Sequence, residues 1–286
     1  MKNYIKLLRV KHYIKNLLIF APLFFSGALL GEIAIKVVYS FIPFCLSTSF
    51  VYIINDIKDV EKDKRHPTKC RRPIASGAVN INSAMIYSVI IMILAAGFAV
   101  GAVVLDLYSY TSIFLLAIYI ILNILYSNGL KNVPVIDVLI LAVGFVLRLY
   151  YGSCVTQVEI SPWLYLTVLG GAFYLGMGKR RNEVRNQSDG NTRAVLRKYS
   201  YEFLDKNMYV CVAFTEVCYA LWTIQSLNKY LIWTVPIVMV IFMKYSLNIE
   251  SKDSEGDPIN VLLEDKVMLG SVLLYGIIVF VSIYFV

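Results

Sequence analysis

At 286 residues, with 58% hydrophobic content, a mean hydropathy of +0.67 and 16% charged residues, the chain is too apolar for a soluble globule. Its net charge of +8 lies in short segments without the size or fold of a recognition module, which argues against nucleic acid as a partner. Five cysteines without a C-x-x-C pair, and two distant histidines (His12 and His66), support neither a disulfide framework nor a zinc motif.

Nine stretches approach or exceed the roughly 17–25 apolar residues that cross a bilayer as a helix. They are 17–33, 35–54, 81–104, 109–127, 134–153, 162–178, 208–227, 231–248 and 267–286. The first is the weakest, because it contains Pro22 and abuts Glu32. Basic residues ahead of it would also suit a signal peptide, but eight spans follow and it is taken as the first crossing. With a cytoplasmic N-terminus and alternating spans, segments 1–16, 55–80, 128–133, 179–207 and 249–266 face the cytoplasm. They hold 23 of the 27 Lys and Arg residues. Val286 then lies outside. Of the remaining cations (Lys36, Arg148, Lys229 and Lys244), only Arg148 is expected deep in a span. The expected fold is an all-α integral membrane protein: one domain over 1–286, with loops 55–80 and 179–207 capping a cytoplasm-facing site.

The loop after the second span reads NDIKDVEKDKRHPTKCRRP (55–73), with four acids and seven Lys or Arg residues. Asn55, Asp59 and Asp63 are four apart and Asp56 precedes Asp59 by three, so a continuing helix places them on one face. Such oxygen ligands suit Mg²⁺, which takes one or two carboxylates and fills its shell with waters and phosphates. The bland alternative is a solvated, charge-mixed helix end. Position at the end of an apolar span weighs against it, since Asn and Asp at a membrane boundary are costly. Lys64, Arg65, Lys69, Arg71 and Arg72 follow at once, and Arg binds phosphate oxygens in a two-pronged geometry. Acids for Mg²⁺ beside cations for phosphate make a diphosphate site.

Later segments repeat the theme. In the fifth span Asp137 precedes Arg148 by eleven residues, about 16 Å along a helix and on the same face. A deep Arg faces a bundle interior or a wet cavity, and a structural ion pair is the competing role. The sixth span ends in YLGMGKRRNEV, where Lys179, Arg180, Arg181 and Glu183 make either a second anion site or a positive-inside anchor.

Together these stretches resemble a known family. NDxxDxxxD after span two, nine spans and a second charged motif after span six resemble the UbiA-type intramembrane prenyltransferases over nearly the whole chain. Within them, the segments YIKNLLIFAPLFFSG, LYSNGLKNVPVIDVLILAVGFVLRLYYG, GKRRNE, TRAVLRKYSYEFLD and GDPINVLLEDKVMLG look like the decaprenyl-phosphate phosphoribosyltransferase branch. Val10 departs from the proline expected after Arg9. Ordinary members usually carry a second aspartate pair after span six, where this chain has Lys179, Arg180 and Glu183.

The resemblance implies a nine-helix UbiA-like bundle and a Mg²⁺-dependent transferase. It would move 5-phosphoribose from phosphoribosyl pyrophosphate to a polyprenyl phosphate, for cell-envelope glycan or lipid-linked sugar synthesis. By resemblance, Asn55, Asp56, Asp59 and Asp63 hold the metal–pyrophosphate. Lys15, Asn16, Arg65, Lys69, Arg72 and Lys131 hold phosphates, with Asp137 and Arg148 contributing to substrate binding. Lys179, Arg180 and Glu183 take the ribose 5-phosphate end. The alternative is a conventional prenyltransferase with a polyprenyl diphosphate donor and an aromatic or other acceptor. A transporter would need several ionisable residues in mid-span, where Arg148 alone is expected.

Overall fold

The computed structural model describes residues 2–31, 33–66, 68–107, 109–185, 194–226, 228–250 and 256–285, all of them helical or connecting. Part of the expected loop 179–207 (186–193), part of 249–266 (251–255) and Val286 lie outside the described residues. The chain divides into two compact units. One comprises Met1–Leu23, Ala28–Lys131 and Leu147–Val158, and the other Phe24–Gly27, Asn132–Val146 and Glu159–Val286.

The first unit opens with α1 (Lys2–Leu8), an eleven-residue 3-10 segment (Val10–Phe20) and α2 (Ala21–Phe25), whose last residues belong to the second unit. Then come α3 (Ile33–Lys58), α4 (Val60–Lys64), a 3-10 turn (Lys69–Arg71), α5 (Ile81–Val104) and α6 (Tyr110–Asn128). The Asn80 side chain accepts the Ser83 N–H at 2.7 Å and starts α5. That helix is apolar all round and exposes Ile86, Ile93 and Val100, as a lipid-facing helix does. α3 packs on α5 and α6. At its C-terminal end Leu7, Ile53, Ile74, Val79 and Ala84 form a buried cluster that fixes the start of the charged loop. α7 (Ile136–Thr156) gives its first half to the second unit and its second half to the first.

The second unit continues with α8 (Pro162–Arg185), α9 (Tyr201–Gln225), α10 (Val235–Ile249), α11 (Pro258–Glu264) and α12 (Lys266–Tyr284). Its core joins Val138, Tyr174, Met177, Leu204, Met208 and Tyr245. Val195 and Leu196, from a short 3-10 turn before α9, fold back into it.

Among the described residues, seven helical stretches are long and apolar enough to cross a membrane. They are α3, α5, α6, α7, α9, α12 and Lys229–Ile249, which includes α10, and they coincide with seven of the nine expected spans. The expected helix over 17–33 is not continuous: it is 3-10 to Phe20, restarts as α2 and stops at Phe25. Pro22 lacks the N–H that an α-helix through Leu18 would require there. The sixth expected span forms as the 24-residue α8, but its four glycines, its tyrosines and its cationic end dilute its hydropathy. The expectation that Arg148 alone lies deep is also corrected. Glu216 sits well inside α9, half-buried, because a single acid among apolar neighbours is easily passed over in a long hydrophobic run.

Candidate active site

The acids of the loop after α3 stay on helical spacing. α3 ends at Lys58 and α4 begins at Val60, yet Asp59 N–H bonds to Asn55 O at 2.9 Å and Asp63 N–H to Asp59 O at 2.8 Å. The helical ladder therefore runs through the junction. Asp56, Asp59 and Asp63 each meet a cation from off that ladder in the same unit. Asp56, 3% exposed, pairs with Arg9 and accepts from Arg72 Nη1 at 3.0 Å. The same Arg72 nitrogen donates to Asp63 Oδ2 at 2.6 Å, so two carboxylates about two helical turns apart converge on one positive atom. Lys131, also buried, donates to both Asp59 oxygens at 2.5 and 2.7 Å. Asn55 Oδ1 accepts from Ser127 at 3.1 Å.

Among the described residues, no three His, Cys, Asp or Glu side chains converge as a metal cage. The donor set nonetheless fits Mg²⁺, which needs one or two carboxylates when phosphates complete its shell. The point that Asp56 and Asp63 share is already held by a cationic nitrogen.

The second unit holds the inverse arrangement. Arg180 is 1% exposed, with Nε on Asp137 Oδ2 at 2.6 Å and Nη1 on Glu183 Oε2 at 2.7 Å. The Tyr199 hydroxyl donates to Asp137 Oδ1 at 2.6 Å and accepts the Val135 N–H at 2.5 Å. Burial and the Asp137 hydrogen bond push that hydroxyl up to about 12, so it remains a donor. Lys179, 31% exposed, donates to Asp257 Oδ2 at 2.9 Å, while Asp257 Oδ1 caps α11 through the Ile259 N–H. Arg181 pairs with Asp205 and Glu250 and lies over the Tyr201 ring.

The structure brings together Asp56, Asp63 and Arg72, then Asp59 and Lys131, and separately Asp137, Arg180 and Glu183. Asp137 and Arg148, expected on one face of one helix, engage different partners, Asp137 in the first turn of α7 and Arg148 past its middle. Arg148 Nε donates to the fully buried Asn16 at 2.8 Å and Nη2 to Tyr119 Oη at 3.0 Å. Lys15 and Lys69 are half-buried and Arg65 is exposed. Sequence reasoning gave no site role to Arg9, Tyr199 or Asp257. Arg9 precedes the unexpected Val10 and adopts a left-handed φ of 52°. Tyr199 and Asp257 lie within stretches that carried the family resemblance, but nothing local marks them as ligands of Asp137 and Lys179.

A model of the UbiA prenyltransferase family matches residues 17–262. The chain is 31% identical to the decaprenyl-phosphate phosphoribosyltransferase of Mycolicibacterium smegmatis, over 92% of this chain and 87% of that one. The Corynebacterium glutamicum protein of the same name is 29% identical, over 98% of this chain and 86% of its own length. A UbiA homologue from Archaeoglobus fulgidus, solved bound to GPP and Mg²⁺, superposes with a TM-score of 0.71 over 97% of this chain and 99% of its own. It is 18% identical, which shows a shared fold. By the extent of the family match, the all-helical fold and the acid–cation loop after α3, this integral membrane protein belongs to the UbiA prenyltransferase family and is a transferase.

Proposed function

We propose that the protein transfers 5-phosphoribose from phosphoribosyl pyrophosphate to a polyprenyl phosphate, with Mg²⁺, releasing pyrophosphate on the cytoplasmic side. The observation that carries this reading is the charge balance around the first motif. Asp56, Asp59 and Asp63 are matched by Arg9, Arg72 and Lys131, so these pairs offer an incoming pyrophosphate no net positive charge. A divalent cation accompanying the pyrophosphate restores the attraction, and Asn55, Asp56, Asp59 and Asp63 are the oxygen donors to hold it. When bound, that ion supplies charge neutralisation for the departing pyrophosphate. The names of the relatives at 29–31% identity support the sugar-phosphate donor.

In this reading the carboxylates, once loaded, release Arg9, Arg72 and Lys131 toward phosphate oxygens, with Lys15 and Lys69 as further phosphate ligands. The C1–O bond to pyrophosphate breaks with oxocarbenium-like character. A lipid phosphate oxygen attacks C1 from the opposite face and inverts it. That oxygen is already ionised near neutral pH, so no general base is needed. On chemical grounds Lys179 is assigned to the ribose 5-phosphate, because its ammonium is partly exposed and its Asp257 partner can be exchanged for phosphate. Arg180 and Glu183, buried with Asp137, shape that end instead of presenting a free charge.

The deciding assay uses purified protein in detergent with labelled phosphoribosyl pyrophosphate, polyprenyl phosphate and Mg²⁺. Labelled lipid that depends on both substrates is the expected result. Turnover of a prenyl diphosphate with no use of phosphoribosyl pyrophosphate would move the protein to the conventional prenyltransferase reading. The associated topology is nine spans with an internal N-terminus, and a C-terminal reporter active only in the cytoplasm would contradict it.

A further inference from the structure

Eleven consecutive residues, Val10–Phe20, form 3-10 helix, whereas such runs seldom exceed three or four residues. A segment of that length with poor internal hydrogen-bond geometry must be held from outside, and the second half of α7 does so at two points. A Cβ on Gly152 would lie 2.0 Å from the Ile19 carbonyl oxygen, so only glycine allows this approach. One turn earlier, Arg148 Nε donates to Asn16 Oδ1 at 2.8 Å. The Asn16 amide nitrogen contacts Cys45 Sγ at 3.2 Å and Thr48 Oγ1 at 3.3 Å on α3. Arg148 also donates to Tyr119 on α6, and its guanidinium carbon lies 4.9 Å from that ring centroid and 5.5 Å from that of Phe44. The whole network belongs to the first unit. The segment it holds starts beside Arg9, the partner of Asp56, and carries Lys15 next to Asn16.

We infer that Arg148 is a positioning residue: through Asn16 it anchors the 3-10 segment and so fixes where Lys15 stands, and it does not itself meet a substrate phosphate. The inference rests on the proposed role of Lys15 as a phosphate ligand. A guanidinium suits the task because its planar fork serves Asn16 and Tyr119 in fixed directions while its face lies on aromatic rings. A lysine keeps the charge and loses the fork.

The test is a double-mutant cycle of Lys15→Ala and Arg148→Lys, with kinetics for each substrate and thermal unfolding for each variant. Lys15→Ala is expected to raise KM for one phosphate substrate about tenfold or more. Arg148→Lys raises KM for that same substrate, leaves kcat nearly unchanged, and costs little further in the Lys15→Ala background. Asn16→Ala, which removes the link and the contacts to α3 while leaving Arg148 intact, reproduces Arg148→Lys and carries the cycle if the lysine variant does not fold. Effects that multiply would overturn the inference and make Arg148 an independent contact, with the proposed reaction intact. A lowered Tm with unchanged KM would also overturn it and leave a purely structural arginine. If Lys15→Ala leaves all kinetics unchanged, Lys15 loses its place in the proposed reaction and the positioning role falls with it.

Discussion

The two charged clusters use the same ingredients in opposite ways. In the first unit the acids are local, on one helical ladder from Asn55 to Asp63; Arg72 comes from later in the same loop, and Arg9 and Lys131 arrive from distant segments. In the second unit the cations are local, on the end of α8. The acids Asp137, Asp205, Glu250 and Asp257 arrive from elsewhere. Exposure differs too: Arg72 is 27% exposed, Arg180 only 1%. A partly exposed pair can be exchanged for a ligand, whereas a fully buried one must be broken to act. On the proposed function, the first cluster serves turnover and the buried core of the second serves shape.

Substitutions can break that comparison at either end. Asp59→Asn should have the largest effect on turnover, a loss of about a thousandfold, with the folded protein retained. Near-normal activity at saturating Mg²⁺ would remove the motif from the chemistry. Arg180→Ala should instead show itself in stability, because it strands the fully buried Asp137. Breaking such a pair from one side costs about 3–5 kcal/mol, readable as a lowered Tm in detergent. If Arg180→Ala unfolds normally, the buried core of the second cluster is not structural.

Lys179→Ala is the intermediate case. Its pair with Asp257 is partly exposed, so stability should change by about 1 kcal/mol or less. Loss of a charge-assisted phosphate contact of about 1.5–3 kcal/mol should lower kcat/KM for the donor by about one to two orders of magnitude. A donor analogue lacking the 5-phosphate should be poor already and little worsened, so equal losses for both donors would reduce Lys179 to a general anion binder. The smallest effect is expected from Tyr199→Phe, which removes one donor to Asp137 and should cost about 1 kcal/mol. With its folded pKa raised from about 10 to about 12, Tyr199 adds stability that is complete below pH ~10 and lost as pH rises through ~12. Near neutrality the variant should therefore run parallel to the wild type and about 1 kcal/mol below it, and the gap should close as pH rises from ~10 through ~12.

The local half of each cluster was legible from helical spacing; of the distant half, Lys131 entered through the family resemblance and Asp137 was noted without its partner, while Arg9 and Asp257 were not read as site residues. NDxxDxxxD and KRRNE are visible because helical spacing alone places their members together. The pairing of Arg9 with Asp56 spans 47 positions and that of Lys131 with Asp59 spans 72, distances over which no periodicity speaks. Seven spans were readable from apolar length. The first is not one continuous α-helix, because a 3-10 segment runs to Phe20 and Pro22 opens the short α2, and Glu216 escaped notice because one acid barely changes the hydropathy of α9.

That acid bears on how the protein enters the membrane. An Asp at the centre of a single inserting helix costs about 2.5–3.5 kcal/mol on translocon scales, and a Glu is of similar chemistry. α9 carries Glu216, and the helix before it, α8, is the least apolar of the long helices. These two neighbours in sequence pack closely: a Cβ on Gly170 would lie 2.5 Å from the Thr215 hydroxyl oxygen. Glycine against threonine at that range lets the two backbones approach as one unit. We therefore expect α8 and α9 to partition into the bilayer as a hairpin, neither being a competent stop-transfer sequence alone. In a glycosylation-mapping assay, α9 expressed alone should pass through the translocon, whereas the α8–α9 pair should lodge. Glu216→Leu should rescue the solitary helix.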